Sequence, residues 1–258
     1  MFAVAGIVLL AVFAVVELKK KNPLLDLRVF RDYNFSSNVV VTMVLTMAFY
    51  GGLILMPIYF ESVMGFSGLK TGLLLLPGSM IIGVAGIFSG KLYDKIGIKP
   101  LAITGTLIMA AAAVFLARLT PDTPYLQALL VYAVFALGVA IITTPISTAA
   151  FARIPREQNS DAATLQNTLR QVAGSIGTAI LITTMSNSAK DFAQNIGRAA
   201  NQQTPVLAAN HGINTAFILT IVLCLVAAAL SFALASKKKL TTSKHTLPAS
   251  AAIVQNRT

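Results

Sequence analysis

Charge is scarce in this chain. Only 11% of its 258 residues are Asp, Glu, Lys or Arg, where a soluble domain carries about 25%. That deficit excludes an ordinary water-facing surface. With 56% hydrophobic residues and a mean hydropathy of +0.76, a bilayer is the fitting solvent. Acidic groups are the scarcest: there are nine, and none sits near the middle of an apolar run. Glu61, Asp94 and Asp161 all fall near run ends. Proton-coupled transport needs an embedded titratable carboxylate, and these runs supply none. Cysteine is all but missing. Cys224 alone excludes an internal disulfide and a multi-cysteine metal site, and within its apolar run it reads as a small packed hydrophobe. No phosphate-binding loop, metal-ligand cluster or nucleophile–base pair is present. The sequence therefore points to no enzyme, cofactor or metal, and His211 and His245 read as incidental residues outside the spans.

The net charge of +11 raises nucleic acid as a partner, but its placement argues against that. The basic residues form short clusters between apolar runs, and none interleave with aromatics as in a single-strand binder. The runs cover residues 1–17, 36–60, 71–91, 100–118, 124–150, 162–186 and 213–236. A spanning helix needs roughly 20 mostly apolar residues. The length of the runs and their lack of two-residue alternation favour helices over barrel strands. The expected fold is an all-α integral membrane protein with seven transmembrane helices.

Basic residues orient the spans. Fifteen lie in the first, third and fifth connections and the tail, four in the others, and Arg170 inside the sixth run. By the positive-inside rule the odd connections and the C-terminus are cytoplasmic. The first run starts at Met1, and Lys19, Lys20 and Lys21 follow it rather than precede it. That is the reverse of a signal peptide and is expected of a clipped outside-to-inside helix. The organisation expected is a shortened span and cytoplasmic linker over 1–35, a six-helix bundle over 36–236, and a disordered tail over 237–258. Residues 18–35 mix basic and apolar side chains, as an interfacial helix or a loop on anionic lipid would. Residues 187–212 are expected to form a long polar outside loop.

Polar residues inside spans mark candidate sites. Asn38, Thr42, Thr46 and Tyr50 recur every four residues and share one helix face, with Met43 and Met47 beside them. The stripe suits either a ligand cavity or interhelical packing. Gln166, Asn167, Arg170, Gln171 and Ser175 occupy the first half of the sixth run. Arg170 either snorkels towards Asp161 or faces the bundle interior. In the third run, Ser79–Gly83 and Gly86–Gly90 are small-residue pairs suited to close helix contact, and Pro145 marks a kink in the fifth.

The third connection reads GKLYDKIGIKP. It resembles the signature loop of the major facilitator superfamily at Gly90, Leu92, Asp94, Lys95, Gly97 and Lys99, and departs from it at Ile98. With PLLDLRVF, GLLLLPGSMIIGVAGIFSGKLYDKIG and LQNTLRQVAGSIGTAI, residues 1–236 resemble the C-terminal half of fourteen-span drug:proton antiporters of the EmrB/QacA type. The resemblance implies an alternating-access exporter in a bacterial plasma membrane. Its partners would be amphipathic, often cationic small molecules, protons and a missing N-terminal half that holds the coupling acid. It also implies a cytoplasmic latch at Gly90, Asp94, Lys95, Gly97 and Lys99. There Lys95 replaces the common Arg and loses bidentate geometry. A substrate path past Asn38, Thr42, Thr46, Tyr50, Gln166, Asn167, Arg170 and Gln171 is expected. Two other readings stay open: a facilitator for another small solute, and a membrane fragment that does not transport.

Overall fold

The computed structural model describes residues 26–196, 203–232 and 234. The first apolar run and the tail after residue 236 lie outside these. Asp26 opens the described chain by accepting from the backbone N–H of Arg28 (3.0 Å), starting a 3-10 turn at Leu27–Arg31. Asp32 then accepts from the N–H of Phe35 (2.8 Å) and caps the first long helix, α1, Tyr33–Ile58, as a short carboxylate does at an N-terminus. The helix continues as a π-turn over Tyr59–Val63, just past Pro57. Proline has no N–H to close the ladder, so a wider turn there is a local consequence of sequence.

Ser67 caps α2, Gly68–Ile96. A single residue, Gly97, separates α2 from α3, Ile98–Leu116. Its φ of 80° is a left-handed value that glycine adopts at little cost. The predicted signature loop is therefore mostly helix: Gly90 to Ile96 continue α2, and the chain turns on Gly97 alone. Pro124 precedes α4, Tyr125–Phe151. A 3-10 turn at Arg156–Gln158 leads into α5, Asn159–Ile196, and α6 covers Thr204–Ser231. The long outside loop predicted over 187–212 is corrected. Residues 187–196 extend α5 because Ala, Lys and Gln are good helix formers and no glycine intervenes before Gly197. His211, expected outside the spans, lies within α6 and stacks on Phe192 at 4.8 Å.

Among the described residues, five of the six long helices carry apolar stretches long enough to cross a membrane: α1 with its π-turn, α2, α3, α4 and α6. Helix α5 is the longest but also the most polar. Helix α1 packs on α4, α5 and α6, while α4 also packs on α2 and α3, and α6 on α3 and α5. The main core draws on Leu45, Leu55, Met56, Met109, Phe135, Ile142 and Phe217. Close approach is made by glycine: a Cβ on Gly138 would meet the Gly105 carbonyl oxygen at 2.8 Å, and one on Gly177 would meet Met47 Cα at 2.8 Å.

Hydrogen bonds tie the two ends of the bundle. At one end Asn34 Nδ2 donates to the Ala149 carbonyl (2.8 Å), the Asp26 N–H donates to Asp161 Oδ2 (3.3 Å), and Gln158 Nε2 donates to Asp26 Oδ2 (3.1 Å). Arg28, Arg31, Arg153 and Arg156 belong to this basic end. At the opposite end Asn210 and Asn214 both donate to the Leu119 carbonyl (2.9 Å each), and Tyr59 donates to that of Thr120 (2.9 Å).

Candidate functional site

A stripe of polar residues climbs α1 from the basic end. Asn38 Nδ2 donates to the Asn34 carbonyl (2.7 Å), Thr42 to that of Asn38 (2.7 Å), and Thr46 to that of Thr42 (2.7 Å). Each group satisfies its hydrogen on its own helix, which is how a hydroxyl stays inside an apolar span. Helix α4 repeats the device. Thr143 donates to the Val139 carbonyl (2.8 Å) and Ser147 to that of Thr143 (3.3 Å). Pro145 between them deprives the Ile141 carbonyl of its usual donor.

These two stripes face one cavity of about 220 Å³. Thr42, Leu45, Thr46 and Phe49 line it from α1, and Val139, Ile142, Thr143, Ile146 and Ser147 from α4. Ile82 of α2, Met109 of α3 and Arg170 of α5 complete the wall. The lining is mainly apolar with a few oriented polar groups, the composition of a small-molecule site. Arg170 is half-buried. It makes no hydrogen bond or ion pair with another described residue. It stands eleven residues into α5, about 16 Å along the helix.

The structure thus brings Thr42, Thr46 and Arg170 to one cavity. Asn38 is fully buried beneath it, within the stripe. Tyr50 turns to α5, where its Cε2 lies 2.9 Å from the Cβ position of Gly174. Gln166 is buried, whereas Asn167 and Gln171 are exposed and absent from the cavity wall. Asn38 Oδ1 and Gln166 Nε2 are both enclosed without a partner, one an acceptor and the other a donor, on helices that pack together. Sequence reasoning missed Thr143 and Ser147. Their four-residue spacing matches that of Thr42 and Thr46 and was the available signal.

Of the signature residues, Asp94 and Lys95 are exposed in the last turns of α2, and Gly97 is the hinge to α3. The Lys99 ammonium lies 5.7 Å from the Phe232 ring at the end of α6. A Cβ on Gly90 would stand 3.9 Å from Thr144 Cγ2 of α4, which is ordinary contact. The small-residue pairs of α2 divide. Gly86 and Gly90 face Thr144, while Gly83 meets nothing within 4 Å and Ser79 is exposed.

Residues 1–178 match the sequence profile of the Major Facilitator Superfamily. The chain belongs to that superfamily. Among its relatives is the uncharacterized MFS-type transporter YhcA of Bacillus subtilis, 39% identical over 71% of this chain and 35% of that protein. The lincomycin resistance protein LmrB of Listeria monocytogenes is 29% identical over 85% of this chain and 46% of its own length. The tetracenomycin C resistance and export protein of Streptomyces glaucescens is 29% identical over 74% of this chain and 35% of its own length. The chain spans about a third to a half of the length of these superfamily relatives. A membrane-spanning protein of a small-molecule transporter family, not an enzyme, is what the helices and these relatives together describe.

Proposed function

We propose that this chain forms one half of a multidrug exporter and that its cavity is one wall of the drug site. The single observation that carries the reading is the convergence of α1, α4 and Arg170 on one apolar cavity with oriented polar groups. At about 220 Å³ the cavity is smaller than the roughly 300–1,000 Å³ of a drug-sized site. A facing half would supply the remaining wall. The open face of α2, where Gly83 meets no atom within 4 Å, is a surface on which that half would rest.

Drug export would be driven by proton antiport. The coupling acid would be a residue of the other half, beside a wall in which no described carboxylate lines the cavity. The basic end would face the cytoplasm, following the fifteen-to-four division of basic residues. Gly90, Asp94, Lys95, Gly97 and Lys99 would then form a cytoplasmic latch, with Asp94 close to the positive N-terminus of α3. The substrates would be amphipathic drugs, by analogy with the resistance and export proteins among the relatives.

The test is resistance and dye efflux in a drug-sensitive bacterial host carrying the complete reading frame that holds this chain. Expression should raise the inhibitory concentration of an amphipathic antibiotic or accelerate dye efflux. Asp94→Asn should reduce efflux severalfold at unchanged membrane content. Unchanged efflux at equal expression would remove the latch role, and no efflux by the unaltered protein would remove the exporter reading.

A further inference from the structure

The cavity is polarised in an unusual sense. Each of its four hydroxyls, on Thr42, Thr46, Thr143 and Ser147, donates its only hydrogen to a carbonyl of its own helix. A hydroxyl that has spent its proton presents only lone pairs. Toward the cavity these four groups are acceptors. The remaining polar wall is Arg170, which is permanently charged and has five N–H donors and no acceptor. No carboxylate lines the space, and Arg170 has no partner among the described residues. A guanidinium at membrane depth seeks an anion or a strong acceptor.

From this we infer that the site selects amphipathic organic acids: an aromatic or aliphatic body bearing a carboxylate or enolate that Arg170 grips, with hydroxyl or amine donors turned to the threonine and serine oxygens. The inference rests on the exporter reading and narrows its substrate class. A permanent cation would set its charge beside the guanidinium with no carboxylate in this wall to offset it. It could accept nothing from the hydroxyls and would engage them only through its own N–H or O–H groups. The Phe49 ring offers stacking to either class and does not discriminate between them.

Rhodamine 110 and rhodamine 123 make a matched pair, because the second is the methyl ester of the first and differs in lacking the carboxylate. Equilibrium binding of both dyes to the complete transporter in nanodiscs is read by fluorescence anisotropy. Efflux of both from cells is read in parallel. The acid should bind about tenfold more tightly than the ester, the value of a charge-assisted hydrogen bond. Arg170→Gln should erase that preference by weakening the acid alone. Arg170→Lys should restore part of it, since a point charge without the fork keeps the attraction and loses the geometry.

Equal affinity for both dyes, or an equal loss of both in Arg170→Gln, would overturn the inference. An equal loss would assign Arg170 to a carboxylate of the facing half instead. Failure to bind either dye would overturn it as well. Because binding needs no transport, an Arg170-dependent preference without efflux would uphold the recognition and reject the exporter reading, whereas efflux without preference would do the reverse.

Discussion

Helices α1 and α2 are alike in length and apolar content, and the structure treats them in opposite ways. Half of the most apolar stretch of α1 is buried, against 11% of that of α2. Both carry glycines, two in α1 and six in α2, and several of these meet different surroundings. Gly51 and Gly52 of α1 are filled against Thr220 and Phe135, while Gly72 and Gly83 of α2 meet nothing within 4 Å. Hydropathy therefore identifies a span without saying what lies beside it, because lipid tails and packed side chains are equally apolar. The information that separates the two helices lies in small and polar residues. Asn34, Asn38, Thr42 and Thr46 mark the inward face of α1. The exposed face of α2, with Leu76, Met80, Val84 and Ile87, has no comparable polar stripe.

The contrast is broken most severely at glycine. Gly138→Leu forces a side chain against the Gly105 carbonyl oxygen and should destabilise the bundle by about 3 kcal/mol or more. Gly83→Leu in α2 has open space and should change stability by less than about 1 kcal/mol. Thermal unfolding in detergent separates the two. If Gly83→Leu nonetheless abolishes dye efflux by the complete transporter, the open face is the seat of the facing half. Equal destabilisation by both changes would show that α2 is as tightly packed as α4.

A smaller effect is expected at Gln166. Its Nε2 is enclosed without a partner, and an unsatisfied buried donor costs about 1–3 kcal/mol. Gln166→Leu should leave the midpoint of unfolding unchanged or raise it by about 2–4 °C. A fall of similar size would mean that the amide is bound, with a water joining it to Asn38 Oδ1 as the natural candidate.

Much of this was legible in the sequence. The apolar runs place the described helices to within a few residues at most ends, because a span leaves a long, low-charge record. The repeat of polar residues every four positions in α1 marks a face of that helix without deciding between a cavity and packing; in the structure Thr42 and Thr46 line the cavity, whereas Asn38 and Tyr50 do not. What the sequence hid has specific causes. The signature segment looked like a loop because it is charged and glycine-bearing, yet only Gly97 has a backbone that leaves the helix. Residues 187–196 looked like a loop because they are polar, although alanine and lysine keep them helical. Asn167 and Gln171 were drawn into the site by sharing a segment with Arg170, but in the structure both are exposed and outside the cavity wall. Thr143 and Ser147 were overlooked because Pro145 drew attention to backbone rather than to side chains.

The central claim is that the cavity between α1 and α4 lies on the transport path. Ser147→Cys in the complete transporter tests it directly. Cys224 is fully buried and stays silent to maleimide, and Asp122→Cys, at an exposed position, serves as the control. Rhodamine 110 and rhodamine 123 are added together at ten times the Kd of the tighter-binding dye. Labelling of the thiol introduced in the cavity should then slow roughly tenfold, while labelling of the exposed control thiol is unaffected. Labelling of the two introduced thiols that is equally fast with and without dye would contradict the account.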